Sequence, residues 1–291
     1  MIDLIVNCLF SSFICIAKYL PYKMLQILIK VLSITLAFLL KKYRNIAATN
    51  YNLVFGSEPS FLYSFIHTKV IFQILGKQAI NILAVAKKKY RYNSFINNVE
   101  NISTLIEAKN KGKGIIILSA HIGNFAMLNL LMAEMGYTNS AMIMRGIKNK
   151  VIEANLNNIR NHANIRFFNE SNSKKNAWLL AKHLKKKGVL IMLTDQRHLK
   201  GPPLDFFGRK KKSPLGLAKL SILTGAPIVP LFALCAKNGK SDVIIKRPIY
   251  TDDVKMTDEN VFALTMQTNQ ILEEVIREHF QQWFCFHRWW R

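Results

Sequence analysis

Apolar and polar positions divide the chain into a first part with helical spacing and a second part in which short apolar runs alternate with amphipathic ones. Residues 1–40 are dominated by apolar side chains, broken at Lys18, Pro21, Lys23 and Lys30. The best piece, Met24 to Leu40, ends at Lys41-Lys42-Tyr43-Arg44. At about 1.5 Å per residue it reaches roughly 25 Å, just short of a hydrocarbon core of about 30 Å. Three readings follow: a span with Lys30 snorkelling, a helix lying in the interface, or a buried helix pair packed on the body. Asp3 and the lack of a small-residue site after the apolar run argue against a cleaved signal peptide. From Ile46 to Tyr92 the spacing is helical, with Gly56-Ser57-Glu58-Pro59-Ser60 as a connection and Ser60 or Pro59 opening the next helix.

After a helix at Ile102 to Lys109 the period changes. Strand-like runs occur at Ile115–Leu118, Ser140–Met144, Ile165–Phe168, Val189–Thr194, Ile228–Leu234 and Val243–Ile245. Helical runs lie near Phe125–Met135, Lys150–His162, Lys174–Lys187 and Leu215–Leu223, with a last helix at Asp258–Phe280. The alternation predicts an α/β fold, a central, mostly parallel sheet flanked by helices. The expected organisation is residues 1–44 as membrane-anchoring or interfacial helices and residues 45–291 as one globular domain.

Composition changes the picture in one respect. Lys and Arg number 41 against 17 Asp and Glu, a formal charge of +24 in 291 residues. That points to anionic partners: nucleic acid, the anionic leaflet of a membrane or an acidic carrier protein. A composition rich in lysine throughout is the alternative source of the charge. The basic flank Lys41, Lys42 and Arg44 places the body on the cytoplasmic side. Lys87-Lys88-Lys89-Tyr90-Arg91 reads as a solvated surface or a site for lipid phosphates. Cysteines 8, 15, 235 and 285 show no paired spacing and read as free thiols in a reducing compartment.

Candidate chemistry concentrates at Ser119-Ala120-His121-Ile122-Gly123-Asn124-Phe125-Ala126. The run Gly114–Leu118 before it reads as a buried strand, so His121 falls where a strand ends and a helix begins, with Asn124 as a candidate cap. A lone histidine is more often structural than catalytic, but other segments accompany this one. In order they are Arg145, Arg160, Leu193-Thr194-Asp195-Gln196, Phe206-Phe207-Gly208, Gly225-Ala226-Pro227-Ile228-Val229-Pro230 and Gln282-Trp283-Phe284-Cys285-Phe286-His287-Arg288. The ordered set, with Lys41 to Phe55, resembles the late acyltransferases of lipid A biosynthesis, the lauroyl/myristoyl type within the lysophospholipid acyltransferase superfamily.

The resemblance implies a glycerol-phosphate acyltransferase-like fold at the bacterial inner membrane, with its catalytic domain on the cytoplasmic face. It implies transfer of an acyl chain from acyl carrier protein to a hydroxyl of a lipid A precursor, with no cofactor. Acylation of another lysolipid or glycolipid from acyl-coenzyme A, and lipid binding without turnover, are the alternatives. His121 suits the general base, because an imidazole titrates near neutral pH. The family motif places Glu or Asp five residues after the histidine, and here that residue is Ala126. Without a carboxylate the ring's orientation is left to chance, and an impaired rate is expected; Glu134 lies too far along the helix to replace it. An engineered alanine and a natural relative that lost or moved its acid both account for Ala126.

The resemblance makes Arg160 the second catalytic candidate, since Arg145 and Arg160 match a family block whose basic residues face the lipid phosphate or the oxyanion; ordinary surface arginine is the alternative for both. Asn124, Arg145, Asp195, Gln196, Arg209 and Lys210 are the candidates for binding substrate. Asp195-Gln196 ends a strand on the sheet edge of His121 if the strands run parallel, and is expected to order the site by hydrogen bonding or to cap a turn. Arg209-Lys210-Lys211-Lys212 reads as a compact cation cluster for the acidic carrier or anionic headgroups, or as a solvated loop. The segment Trp283–Arg291 suits a membrane interface as well as a core strand. No HExxH occurs, no phosphate loop follows a strand, and no nucleic-acid motif appears, so metal, nucleotide and nucleic acid are not expected partners.

Overall fold

The computed structural model describes residues 19–86, 95–146, 149–162, 165–169 and 174–290. The basic cluster at 87–91 lies outside these, as do Cys8 and Cys15. Three helices come first: α1 (Tyr22–Leu39), α2 (Lys41–Phe55) and α3 (Phe61–Ala86). The break nearest the expected boundary at 44 falls at Leu40, so residue 44 lies inside α2. Gly56, in left-handed conformation, ends α2, and Ser60 opens α3 by accepting the Tyr63 N–H at 3.1 Å.

The helix α1 shows a division that the run of apolar residues hides. Leu25, Ile29, Ser33 and Ala37 are buried, one stripe at every fourth residue. Ile29 packs on Gly76 of α3, where a Cβ would stand 2.7 Å from its methyl carbon. Met24, Ile27, Val31, Ile34, Phe38 and Leu39 on the other faces are exposed. On α1, then, one stripe is covered and an apolar surface remains open. Both α1 and α3 are long and apolar enough to cross a membrane by length and composition.

The body is a seven-stranded sheet in the order β1-β9-β8-β2-β5-β3-β4. Its strands are β1 (Ile96–Glu100), β2 (Ile115–Ser119), β3 (Ser140–Met144), β4 (Phe167–Asn169), β5 (Val189–Leu193), β8 (Ile228–Cys235) and β9 (Ser241–Ile245). The five from β8 to β4 run parallel, while β9 is antiparallel to β8, and β1 follows β9. Every residue of β2 is buried, as a parallel strand covered on both faces requires. The helices are α4 (Ile102–Asn110), α5 (Leu128–Glu134), α6 (Lys150–His162), α7 (Lys174–Lys185), α8 (Gly216–Thr224) and α9 (Asp258–Glu278). Core clusters lie on both faces of the sheet.

Two elements escaped the periodicity. β1 alternates weakly at the sheet edge. The second is a separate hairpin, β6 (Pro203–Phe206) and β7 (Arg209–Lys212), closed by Phe207-Gly208 with both φ positive, at 54° and 69°. Two such residues in a two-residue loop make the turn that matches strand twist. The basic run expected as a compact cation cluster is thus a strand. Lys210 pairs across it with Asp205 at 2.9 Å, Lys211 is fully buried, and Arg209 and Lys212 face solvent. Of the two readings of the C-terminal segment, the core one holds for Trp283 and Trp289, which are stacked and buried.

Candidate active site

The parallel register of β2 and β5 brings the central pair together. Ile115 pairs with Val189 and Ser119 with Leu193, so the two residues that follow each strand end, His121 and Asp195, stand side by side. The His121 Nδ1 lies 2.8 Å from Asp195 Oδ1, which also accepts the His121 main-chain N–H at 3.2 Å. Trp283 Nε1 donates to the other oxygen, Oδ2, at 2.9 Å. Asp195 has no exposed surface. Burial alone would push its carboxyl up. The charge and hydrogen bond of His121, the Trp283 N–H and the Lys211 charge outweigh that and hold it below the ordinary carboxylate range.

This pair corrects the expectation that the ring's orientation is left to chance. A carboxylate holds His121 although residue 126 is alanine, and it comes from the adjacent strand end, not from the same turn. With Nδ1 engaged as donor, Nε2 is left as the acceptor; its neighbour is Gln196 Nε2 at 3.4 Å.

The turn after β2 is tied on three sides. Gln78 of α3 donates to the Gly123 carbonyl and accepts the Ala126 N–H, each at 2.9 Å. The C-terminal segment pairs with the turn through Gly123 N–H to Gln282 O at 3.1 Å and Phe284 N–H to His121 O at 2.8 Å, which sets Trp283 over Asp195. Gly123 has φ +54°, and a Cβ there would stand 2.3 Å from the Ala233 carbonyl oxygen. Beneath Asp195, Lys211 Nζ donates to its main-chain oxygen at 3.0 Å. Burial pushes that ammonium down to about 7, against the upward pull of Asp195 and Glu273.

His121 opens into a cavity of about 680 Å³ over the C-terminal ends of β2, β5 and β3. Leu75, Ala79 and Ile82 of α3, Met142 and Met144 of β3 and Ile159 of α6 form much of its apolar wall. Among the candidates, His121, Ala126, Arg145, Arg160 and Gln196 line it, and Asp195 supports it from below. Arg160 is held by Glu153 at 3.2 Å and Asn157 at 2.8 Å, against the Phe167 ring. Three candidates lie elsewhere. Asn124 is buried and spends its amide on Ser241 Oγ at 2.6 Å, so it neither caps by its side chain nor lines the cavity. Arg209 and Lys210 sit on the hairpin outside it.

Gln78, Lys211 and Trp283 were not singled out as individual site residues. Trp283 lay within a segment of the ordered set, and Lys211 within the basic run. For Gln78, inside an apolar helix, no local signal exists. Among the described residues no cluster of three His, Cys, Asp or Glu could hold a metal ion.

The family model described as bacterial lipid A biosynthesis acyltransferase matches residues 4–291. No curated protein matches the chain. Among solved structures, the 1-acyl-sn-glycerophosphate (LPA) acyltransferase PlsC from Thermotoga maritima is similar at 17% identity and a TM-score of 0.42, over 88% of this chain and 99% of that one.

Proposed function

The chain belongs to the bacterial lipid A biosynthesis acyltransferase family, and on that premise we propose that it moves a fatty acyl chain from acyl carrier protein to a hydroxyl of a lipid A precursor. The reaction takes place on the cytoplasmic face of the inner membrane. The observation that carries this reading is the His121–Asp195 pair at the head of an apolar cavity. Its volume lies in the range of sites for small ligands, about 300–1,000 Å³.

His121 Nε2 takes the proton of the acceptor hydroxyl as that oxygen attacks the thioester carbonyl carbon. Asp195 fixes the ring through Nδ1 and stabilises the imidazolium. Arg160 and Arg145, on the cavity wall, face the precursor's phosphate or the oxyanion. The carbon–sulfur bond then breaks, and the imidazolium returns its proton to the departing thiolate. The fatty chain lies along the apolar wall of α3, β3 and α6. With Asp195 as the orienting acid, the reason for expecting an impaired enzyme at Ala126 falls away.

The test is acyl transfer from acyl carrier protein to a lipid A precursor, with products weighed by mass spectrometry. The parent turns over, Asp195→Asn slows it by about 10²–10⁴-fold, and Ala126→Glu changes little. A silent parent revived by Ala126→Glu would sink the role of Asp195. Silence of all three with membrane binding intact would sink the acyltransferase reading in favour of a lipid-binding protein, and turnover with acyl-coenzyme A alone would replace the carrier protein as donor.

A further inference from the structure

Lys211 is fully buried in a hairpin strand whose other residues, Arg209, Lys210 and Lys212, face solvent. Its cross-strand partner is Leu204, a position where an apolar residue would pack without penalty. Burying an ammonium is expensive unless it is paired and hydrogen-bonded. Its contacts converge on one target: Nζ lies 3.0 Å from the Asp195 main-chain oxygen, 3.5 Å from that of Thr194 and 3.6 Å from the centre of the Phe206 ring.

We propose that Lys211 is the positioning residue of the catalytic acid, fixing the Thr194–Asp195 turn through its carbonyls and supplying the charge that keeps Asp195 ionised while His121 is a neutral base. The inference rests on the roles proposed above for His121 and Asp195. A fully buried carboxylate beside a neutral imidazole has no countercharge from that imidazole. Without a second cation, the pair binds a proton more readily, and a proton on either member disables it. Lys211 and His121 are the cationic partners that act on Asp195, and Lys211, with its ammonium pushed down to about 7, carries its charge over the acid range in which the pair takes up a proton. The other charged groups around the pair are Glu273 of α9, which acts on Lys211, His287, which acts with both His121 and Asp195, and Arg197, which acts on His287.

The experiment uses the full chain in detergent and two readouts. One is the pH profile of kcat/KM for acyl transfer; the other is the titration of the Asp195 side-chain carbon in protein labelled with ¹³C-aspartate, assigned by its loss in Asp195→Asn. Lys211→Met is expected to move both the acid limb of the profile and the carboxyl midpoint to higher pH, by about one to three units. Lys211→Arg, which keeps the charge, is expected to leave both where the parent has them. A Lys211→Met protein that loses kcat at every pH with neither midpoint moved would overturn the proposal, because that is the signature of packing alone. If Lys211→Met does not melt cooperatively, Lys211→Gln, which keeps a donor without the charge, replaces it in the same comparison. A carboxyl midpoint that shifts in a protein transferring no acyl chain from any donor would support the role of Lys211 and overturn the proposed function.

Discussion

Asp195 has no exposed surface, so both of its oxygens need partners, and both have them: His121 at Oδ1 and the Trp283 indole at Oδ2. Trp283→Phe keeps an aromatic ring but removes the N–H donor and part of the buried indole's volume, leaving a carboxylate oxygen unpaired at a cost of about 1–3 kcal/mol on top of the packing lost. The pH dependence has a definite sign. The folded carboxyl is held below its unfolded value, so its contribution to stability is complete above the ordinary carboxylate range and is lost as pH falls through the folded value. Removing the indole donor moves the folded value up and narrows that window, so the deficit of Trp283→Phe against the parent is expected to be full at pH 7 and to shrink as pH falls toward 3, read from denaturation midpoints. An unchanged acid limb of stability would remove Trp283 from the support of Asp195. Position 126 belongs to this scale too. Its side chain lines the cavity while its N–H is held by Gln78, so alanine leaves the turn intact.

At the scale of elements, the turn after β2 carries the site because strand, helix and C-terminal segment all bind it. Gly123 is the tightest point, with positive φ and the Ala233 carbonyl where a Cβ would be. Gly123→Ala is expected to cost more than about 1 kcal/mol and to reduce turnover further than stability, as the turn that carries His121 is displaced. Thermal melts and the acyl-transfer assay on the same protein check this. The hairpin shows how an element can be misread from composition: Arg209-Lys210-Lys211-Lys212 looks like solvated charge, yet pairing with β6 turns Lys211 inward under Asp195. The helix α1 presents an apolar surface beyond its buried stripe, which suits insertion into a lipid interface. Val31→Ser with Phe38→Ser is expected to lower partitioning onto vesicles by about tenfold or more, since each buried apolar side chain contributes about 1.5–3 kcal/mol. Flotation of both proteins with the same vesicles measures it.

For the whole molecule, a formal charge of +24 acts together with that apolar face. Binding to anionic vesicles is expected to weaken as salt rises from about 0.1 to 1 M, where the screening length falls from about 10 to 3 Å, and to level off at the binding seen with zwitterionic vesicles. Complete release by salt would assign the membrane contact to charge alone. Most elements were legible in the chain because burial on both faces leaves continuous apolar runs, as at Ile115–Leu118 and Val189–Thr194, and because amphipathic helices carry a 3.6-residue period. The placement of His121 and Asp195 just past strand ends was legible for the same reason. The order of residues along the chain thus carries the family, the α/β alternation, the catalytic histidine as a candidate and the apolar N-terminal segment. Folding in three dimensions makes β2 and β5 neighbours, in a register that sets His121 against Asp195. It also turns Lys211 inward and brings Gln78 and Trp283 to the site from helix and tail. Periodicity reports which face of an element is buried; it carries no information on which buried faces meet, and those contacts join residues separated by 16 to 88 positions along the chain.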